Sequence, residues 1–302
     1  MGVSATAKKI KSMEIRGAGN IARYAAQALK TYAEESRAKT PKEFILGLKK
    51  AGDVLISARP SAVSLPNAVR LITRKVEGAG LDDIALLKEL TIKTAGDFIE
   101  ASNTAVEKIG EIGAGRISSG DVILTHCNSQ AALSVIKTAA RQGKDIEVFA
   151  TESRPWNQGH ITAKELAKEG IPVTLIVDSA VRVFIRKIDK VIVGADSIAV
   201  NGAVVNKVGT AQIALTAHEA RALFFVCAES YKFSPATVLG ELIEIEERDP
   251  GEIADPKKFK GVKIRNPVFD VTPPEYVDLI ITEKGVMPPQ AALILIKEQF
   301  GW

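Results

Sequence analysis

Two residues that follow apolar, strand-like runs carry side chains able to transfer protons. Cys127 comes shortly after the run Val122–Thr125 and shortly before a helical segment that begins near Ala131. Because the amide dipoles of a helix N-terminus favour a thiolate, this position predicts a lowered pKa for the Cys127 thiol. The alternative is an inert core cysteine, which is our interpretation of Cys227 inside its own apolar run.

Asp196 ends the most apolar strand-like run of the chain, residues 191–195. Partial desolvation there predicts a raised pKa and a protonated carboxyl near neutral pH. A protonated carboxyl facing a thiolate supplies an acid and a base, which suits moving a proton between neighbouring sugar carbons in an aldose–ketose isomerase. Asp196 as a simple turn cap is the alternative. His126 adjoins Cys127, but neighbours on a strand face opposite ways, so a Cys–His dyad is doubtful.

Two further segments could hold phosphate at helix starts. In the first, two glycines beside an arginine expose backbone N–H groups, and in the second an amide and an ammonium precede a hydroxyl. Neither is a dinucleotide fingerprint or a Walker P-loop, since no strand precedes the first and the lysine precedes the glycine in the second. The residues are Arg16, Gly17, Ala18 and Gly19 in the first segment, and Asn206 and Lys207 in the second.

The elements that must position these residues change character along the chain. Residues 1–115 predict a helical N-terminal domain, with helices near 20–38, 41–57, 64–77 and 82–109. Residues 116–302 predict a Rossmann-like domain, because short apolar runs alternate with helical stretches. This is typical of a mostly parallel sheet with helices on both faces. The predicted strands are 122–125, 147–150, 173–177, 190–193, 223–226 and 279–281. The fold class is therefore α/β.

Five of the predicted strands end in polar or reactive residues. Ligands of open α/β sheets bind outside the carboxyl ends of the strands, so these residues should share one crevice. The segments are 125–128, 151–154, 178–179, 194–197 and 228–230. Asn201 and Gly202 predict a hairpin turn. The acidic stretch from residue 241 to 252 predicts a solvated surface segment rather than a binding site.

Composition excludes several functional classes. A net charge of +4 with 25% charged residues, and no long Lys/Arg run, suits an anionic small molecule and does not suggest nucleic acid binding. Two cysteines far apart in the sequence predict no disulfide framework and a reducing, cytoplasmic setting. Three histidines without a metal-binding motif predict no metal and no cofactor. No apolar stretch reaches the length of a membrane span, so no membrane association is expected.

An ordered set of motifs carries a resemblance to a known superfamily. The chain resembles methylthioribose-1-phosphate isomerases, archaeal ribose 1,5-bisphosphate isomerases and the regulatory alpha, beta and delta subunits of the translation initiation exchange factor. The resemblance extends from about residue 14 to about residue 290. Its motifs lie at residues 16–19, 58–61, 125–129, 152–155, 158–159, 194–197, 201–202 and 206–210.

The likeness to ribose 1,5-bisphosphate isomerase is the greatest, and it implies conversion of that sugar to ribulose 1,5-bisphosphate during nucleoside monophosphate degradation. It implies that Cys127 and Asp196 form the acid–base pair. It also implies a homo-oligomer of dimers assembled into a hexamer. The residues implied to hold the substrate are Arg16, Gly17, Ala18, Gly19, Arg59, Ser129, Gln130, Ala131, Asn206, Lys207 and Lys232.

Charge favours the bisphosphate among the enzymatic alternatives. Two phosphates carry roughly three to four negative charges near neutral pH, and the implied binding set contains four cations. The first alternative is a methylthioribose-1-phosphate isomerase, which needs one phosphate site and an apolar slot. The second is a non-catalytic regulatory subunit that contacts a translation factor, although such a protein does not need to retain both Cys127 and Asp196.

Overall fold

The first part of the chain is helical. A computed structural model describes residues 1–301. The helices are α1 (Val3–Lys11), α2 (Ala18–Glu35), α3 (Pro41–Ala58), α4 (Ser64–Glu77) and α5 (Ile84–Ala114). Helix α3 begins as expected, because Thr40 Oγ1 accepts the Glu43 N–H at 3.2 Å and Pro41 occupies the first turn. The four predicted helices are present, and α1 is an additional helix that the sequence analysis did not predict.

The second part of the chain alternates strands and helices around a seven-stranded sheet. Its strands are β1 (Val122–Thr125), β2 (Glu147–Thr151), β3 (Val173–Ile176), β4 (Lys190–Gly194), β5 (Ser197–Ile198), β6 (Val204–Lys207), β7 (Leu223–Cys227), β8 (Phe269–Thr272), β9 (Leu279–Thr282) and β10 (Gly285–Met287). Its helices are α6 (Gln130–Arg141), α7 (Gln158–Lys168), α8 (Val181–Phe184), α9 (Thr210–Ala220) and α10 (Ala292–Phe300). All six predicted strands are present within one residue of the predicted bounds.

The strand order of the large sheet is β10-β9-β7-β4-β1-β2-β3. Every neighbouring pair is parallel except β9 with β10 at the edge. Successive residues of a strand pack into apolar layers on opposite faces of the sheet. In β7, Phe224 and Val226 pack into the layer that contains α9 and α10. Phe225 and Cys227 pack into the layer that contains α6 and α7. Burial on both faces explains why the strands are continuous apolar runs. The predicted α/β class is confirmed.

A second, smaller sheet was not predicted, and its strands come after β4 and before β9 along the chain. It has the order β5-β6-β8, and both pairings are antiparallel. Asn201 and Gly202 connect β5 to β6, with Gly202 at φ +84°, so the predicted hairpin turn is present. The short β5 strand and the polar residues of β6 account for the missed sheet, because neither forms a continuous apolar run.

The chain divides into two compact units, residues 1–104 and residues 105 onward. The division falls inside α5, whereas the sequence analysis places the change of architecture at residue 115, just after this helix ends. Within the described residues, no helix combines the length and the apolar character needed to cross a membrane.

Gly159 allows α7 to pack against the end of β2. A methyl group at this position would overlap the backbone carbonyl oxygen of Thr151, which cannot move without disturbing the sheet. We therefore expect Gly159→Ala to lower the free energy of unfolding by about 1–3 kcal/mol, the usual cost of overpacking. Urea denaturation followed by circular dichroism measures the change.

Gly96 provides the matched control, because it also lies in a helix but faces open space. Gly96→Ala should leave stability unchanged or raise it by up to about 1 kcal/mol, since alanine favours the helix. Equal effects of the two substitutions would contradict the packing argument.

Candidate active site

Cys127 and Asp196 lie beyond the carboxyl ends of two neighbouring strands. Cys127 follows β1 by two residues and Asp196 follows β4 by two residues, and these strands pair in parallel. The chain passes from β1 to β2 and β3 on one side, and then returns to β4 on the other side of β1. Such a point of reversal leaves a crevice where ligands of α/β sheets bind. The structure therefore brings these two predicted residues to the same edge of the sheet.

The start of α6 packs directly against β4. Ser129 is the N-cap residue of α6 and accepts the Ala132 N–H at 3.3 Å. A methyl group on Gly194 would overlap the Ser129 side chain, so only glycine permits this approach. Gln130 and Ala131 form the first turn of α6. The predicted binding residues Ser129, Gln130 and Ala131 are thus held beside the turn that carries Asp196.

Cys127 adopts a left-handed backbone conformation, with φ at +68°. This conformation is unfavourable for a non-glycine residue by roughly 1–2 kcal/mol. Two hydroxyl groups hold it: Ser153 Oγ accepts the Cys127 N–H at 2.7 Å, and Thr162 Oγ1 donates to the Cys127 carbonyl at 2.7 Å. Strain of this kind persists only where surrounding bonds enforce it, and such residues are concentrated at functional sites.

The predicted lowering of the Cys127 pKa is wrong. Burial of the thiol raises its pKa to about 11, and this effect exceeds the opposing effects of the Lys207 ammonium and of a hydrogen bond from the Asn128 backbone. Negative charge on Asp178, and on Asp196 when it is ionised, raises the pKa further. The helix-start argument failed because desolvation of the thiolate outweighs the favourable dipoles.

Lys207 is buried at the end of β6 and interacts electrostatically with both predicted catalytic residues. Burial lowers its pKa, while Cys127 and Asp196 act to raise it. Its Nζ atom lies 5.5 Å from the centre of the Phe269 ring. The neighbouring Asn206 is also buried, and its Nδ2 donates to Thr210 Oγ1 at 3.0 Å. The structure therefore joins Lys207 to Cys127 and Asp196 in one crevice.

Asp270 of β8 caps the start of α9, which follows the predicted phosphate segment. Its carboxylate accepts the Gly209 N–H at 2.7 Å and the Ala211 N–H at 3.2 Å. Burial raises the pKa of Asp270, although these hydrogen bonds oppose the rise. Because the carboxylate occupies these amides, a ligand at this segment would meet the side chain of Lys207 rather than the helix N-terminus.

His126 does not pair with Cys127. Its Nε2 lies 3.0 Å from the Val208 carbonyl oxygen, and its Nδ1 lies 2.6 Å from Thr151 Oγ1. A carbonyl can only accept, so Nε2 carries the proton and Nδ1 accepts from the threonine. Burial lowers the pKa of the imidazole, which favours this neutral tautomer. Both ring nitrogens are therefore engaged away from the thiol.

Lys232 is buried after β7 and forms an ion pair with Glu229. The Lys232 Nζ lies 2.7 Å from Glu229 Oε2, and the Tyr231 hydroxyl donates to Glu229 Oε1 at 3.0 Å. Burial acts to raise the pKa of Glu229, but the charge and hydrogen bond of Lys232, together with hydrogen bonds from the backbone and Tyr231, outweigh burial and the pKa is lowered. Lys232 thus carries its charge beyond the end of β7, the strand next to β4, where local sequence offered no signal for it.

Sequence analysis missed Arg248 and Glu246, and the acidic stretch that contains them is not only a solvated surface. The Arg248 guanidinium lies 5.1 Å from the centre of the Trp156 ring, and its Nε lies 3.3 Å from Glu246 Oε1. Both charges influence the pKa of Lys207, so this segment lies near the crevice. The available signal was the single arginine within a run of carboxylates.

The remaining predicted binding residues belong to the first compact unit. Residues 16–19 form the turn into α2, where Gly17 is the N-cap residue with φ at +83°. Arg59 directly follows α3. The Ser64 hydroxyl donates to the Ala18 carbonyl at 2.8 Å, so the turn before α2 adjoins the start of α4. Arg16, Gly17, Ala18 and Gly19 thus lie in a glycine turn at a helix start, as predicted.

Comparison with known proteins assigns the chain to a family. A ribose 1,5-bisphosphate isomerase of Methanocaldococcus jannaschii is 57% identical over 301 residues, which cover 99% of this chain and 96% of the relative. Among solved structures, the translation initiation factor eIF-2B of Pyrococcus horikoshii OT3 has a TM-score of 0.82 at 34% identity and covers 96% of this chain and 98% of its own.

A second solved structure is the 5-methylthioribose 1-phosphate isomerase of Pyrococcus horikoshii OT3. It has a TM-score of 0.76 at 33% identity, covering 99% of this chain and 88% of its own. The family model described as "Initiation factor 2 subunit family" matches residues 14–289, nearly the whole span of the motifs that carry the resemblance. The chain therefore belongs to the initiation factor 2 subunit family.

Proposed function

We propose that the protein is an aldose–ketose isomerase that converts ribose 1,5-bisphosphate to ribulose 1,5-bisphosphate. The observation that carries the proposal is the grouping of Cys127, Asp196 and Lys207 at the point of reversal between β1 and β4. The relative from Methanocaldococcus jannaschii, at 57% identity, bears the name of this activity. We place the reaction in nucleoside monophosphate degradation in the cytoplasm, as the resemblance implies.

The proposed reaction needs two proton shifts. Asp196 donates a proton to the ring oxygen as its bond to C1 breaks, and the Cys127 thiolate removes the proton from C2. The resulting enol phosphate then receives the proton from Cys127 at C1, while Asp196 recovers a proton from the C2 hydroxyl. The ketone forms at C2 and both side chains return to their starting states. A positioned acid and base typically contribute 10²–10⁴-fold each to such a step.

The distribution of cations supports a bisphosphate substrate. Lys207 and Lys232 are buried cations of the second unit, Arg16 precedes the glycine turn at the start of α2 in the first unit, and Arg59, which follows α3, is added by the resemblance alone. Four cations suit two phosphates with roughly three to four negative charges. An apolar methylthio group would leave part of this charge unused. The resemblance also supports a homo-oligomer in which dimers assemble into a hexamer.

The thiol must lose its proton before it can act as a base. Its raised pKa of about 11 means that the thiol is protonated near neutral pH. The Lys207 ammonium is the cation that lowers this pKa and so favours the thiolate. We therefore assign Lys207 a second task besides phosphate binding, which is to make the thiolate accessible.

The first test supplies purified protein with ribose 1,5-bisphosphate and, separately, methylthioribose 1-phosphate, and measures ketose formation. We expect turnover of the bisphosphate, and none above background in Cys127→Ser, whose hydroxyl stays protonated at working pH. This variant also controls for contaminating isomerases. Preferential turnover of methylthioribose 1-phosphate would favour the first alternative, and tight sugar-phosphate binding without ketose would favour the regulatory one.

The second test measures the thiol directly by its rate of alkylation with iodoacetamide. Only the thiolate reacts, so the rate at Cys127 should rise with pH up to about pH 11. Lys207→Met removes the charge that lowers the pKa of Cys127, so labelling at pH 9 should be slower than in the wild type, because a higher pKa leaves a smaller fraction of thiolate at that pH.

Lys137→Met is the matched control for this labelling. Lys137 is a partly buried lysine of α6 whose ammonium pairs with Glu165 at 3.1 Å, away from the thiol. Cys227 is fully buried and should stay unlabelled while the protein is folded. Equal labelling of Cys127 in wild type and Lys207→Met would contradict the role given to the lysine.

The third test is Asp196→Asn. Asparagine keeps the shape and can still donate a hydrogen bond, but it cannot transfer a proton. We expect kcat to fall by roughly 10²–10⁴-fold, with binding of the bisphosphate close to that of the wild type by calorimetry. Full activity in this variant would mean that another group supplies the acid.

A further inference from the structure

Two left-handed residues at the tips of neighbouring strands are bonded to each other. Ser153 lies beyond β2 with φ at +60°, and Cys127 lies beyond β1 with φ at +68°. Ser153 Oγ accepts the Cys127 N–H at 2.7 Å. Neither residue is a glycine, so each conformation must be held by its surroundings. The position of the thiol therefore depends on where the turn after β2 places the Ser153 hydroxyl.

Asp178, at the tip of β3, holds that turn with both carboxylate oxygens. Its Oδ1 accepts the Ser153 N–H at 2.7 Å, and its Oδ2 accepts the Arg154 N–H at 2.8 Å. Both hydrogen bonds are short, and a carboxylate accepts them from consecutive backbone amides. They therefore fix the orientation of the turn more strongly than hydrogen bonds to a neutral acceptor would. A hydrogen-bonded chain thus runs from β3 through β2 to the backbone of Cys127.

The other contacts of Ser153 leave its bond to Cys127 intact. Its hydroxyl lies 3.4 Å from Thr151 Oγ1 and 3.3 Å from His126 Nδ1. The hydroxyl hydrogen can point to Thr151, whose Oγ1 and carbonyl oxygen each lie 3.4 Å away, because Cys127 uses only a lone pair of the oxygen and His126 Nδ1 already accepts from Thr151. Ser153 is fully buried, so water does not compete for this lone pair.

An ion pair with His126 does not explain Asp178. The His126 Nδ1 lies 3.9 Å from Asp178 Oδ1, beyond hydrogen-bond distance, and Nδ1 is already bonded to Thr151. Burial lowers the pKa of the imidazole, so the ring is neutral near pH 7. The two amide bonds are the stronger contacts of this carboxylate.

We propose that Asp178 is a positioning residue that acts through Ser153 to hold the Cys127 backbone in its left-handed conformation. The consequence for turnover rests on the proposed isomerase function, whereas the effect on the Cys127 backbone does not. An electrostatic role alone would have the opposite sign, because the Asp178 charge disfavours the thiolate. Removing that charge without moving the thiol would make Cys127 a more available base.

The backbone test uses protein labelled with [15N]cysteine, which gives two amide signals because the chain has two cysteines. Hydrogen exchange at the Cys127 amide should speed at least tenfold in Asp178→Asn and in Ser153→Ala, since each change weakens the hydrogen bond that protects it. The Cys227 amide lies in the central sheet and should exchange at the wild-type rate. Unchanged exchange at Cys127 in Asp178→Asn, or equally faster exchange at both cysteines, would overturn the inference.

Asp189→Asn is the matched control, because Asp189 Oδ2 accepts the Val122 N–H at 2.8 Å at the opposite end of β1. The control should leave exchange at Cys127 and the kcat unchanged. A control variant that accelerates Cys127 exchange as much as Asp178→Asn would overturn the inference, since any capping aspartate of β1 would then suffice.

Turnover measurements distinguish a positioning role of Asp178 from a role in stability alone. We expect Asp178→Asn to lower kcat by about 10²-fold, the scale of a misplaced reacting group, with KM within a few-fold of the wild type. If Asp178 acts through Ser153, the double variant should be no slower than Ser153→Ala alone, whereas independent roles would multiply. Faster Cys127 exchange in a protein whose wild type makes no ketose would support the positioning inference and overturn the isomerase proposal.

Discussion

Burial controls the chemistry of the crevice between β1 and β4, because a water-poor environment disfavours both a thiolate at Cys127 and an ammonium at Lys207. The pKa of the thiol is raised to about 11 and that of the lysine is lowered. Each charge is favoured by the other, so the protonation states of the two groups are linked. An anionic ligand beside Lys207 shifts this balance, since it stabilises the ammonium that favours the thiolate, while the ligand's own charge opposes the thiolate. The site therefore responds to the charge of what it binds.

The backbone geometry that creates this environment comes from close packing at the sheet edge. Gly194 lets the N-cap residue Ser129 pack against β4, and the left-handed Cys127 turns the chain from β1 into α6 within a few residues. The hydroxyls of Ser153 and Thr162 satisfy both backbone polar groups of Cys127. This turn is half-buried, and because the polar groups of the Cys127 backbone are satisfied within the protein, they do not depend on water. Rigidity and desolvation at the thiol therefore share one structural cause.

The parts of the fold that sequence predicted well are those where burial acts on a whole run of residues. The central strands are apolar on both faces, so their positions were predicted within one residue. Because ligands of open α/β sheets bind outside the carboxyl ends of the strands, the sequence also predicted that Cys127 and Asp196 lie at one edge of the sheet. The three-stranded sheet was not predicted, because β5 has only two residues and β6 ends in the polar residues Asn206 and Lys207. A short antiparallel strand with polar residues carries no distinctive period.

The sequence alone could not show how burial, neighbouring charges and hydrogen bonds combine at each side chain in the folded protein. A local argument predicted a lowered pKa for Cys127, because it considered the helix dipoles and not the burial that tertiary packing imposes. Arg248 and Glu246 were assigned to a solvated stretch, because only the folded chain brings them near Lys207 and Trp156. The same limit applies to function within this family, whose members share a scaffold but differ in name between isomerase and initiation factor. A regulatory protein needs only a crevice that binds, whereas the isomerase that we propose also needs a positioned base, and in this chain hydrogen bonds across three strands hold the Cys127 backbone in its left-handed conformation.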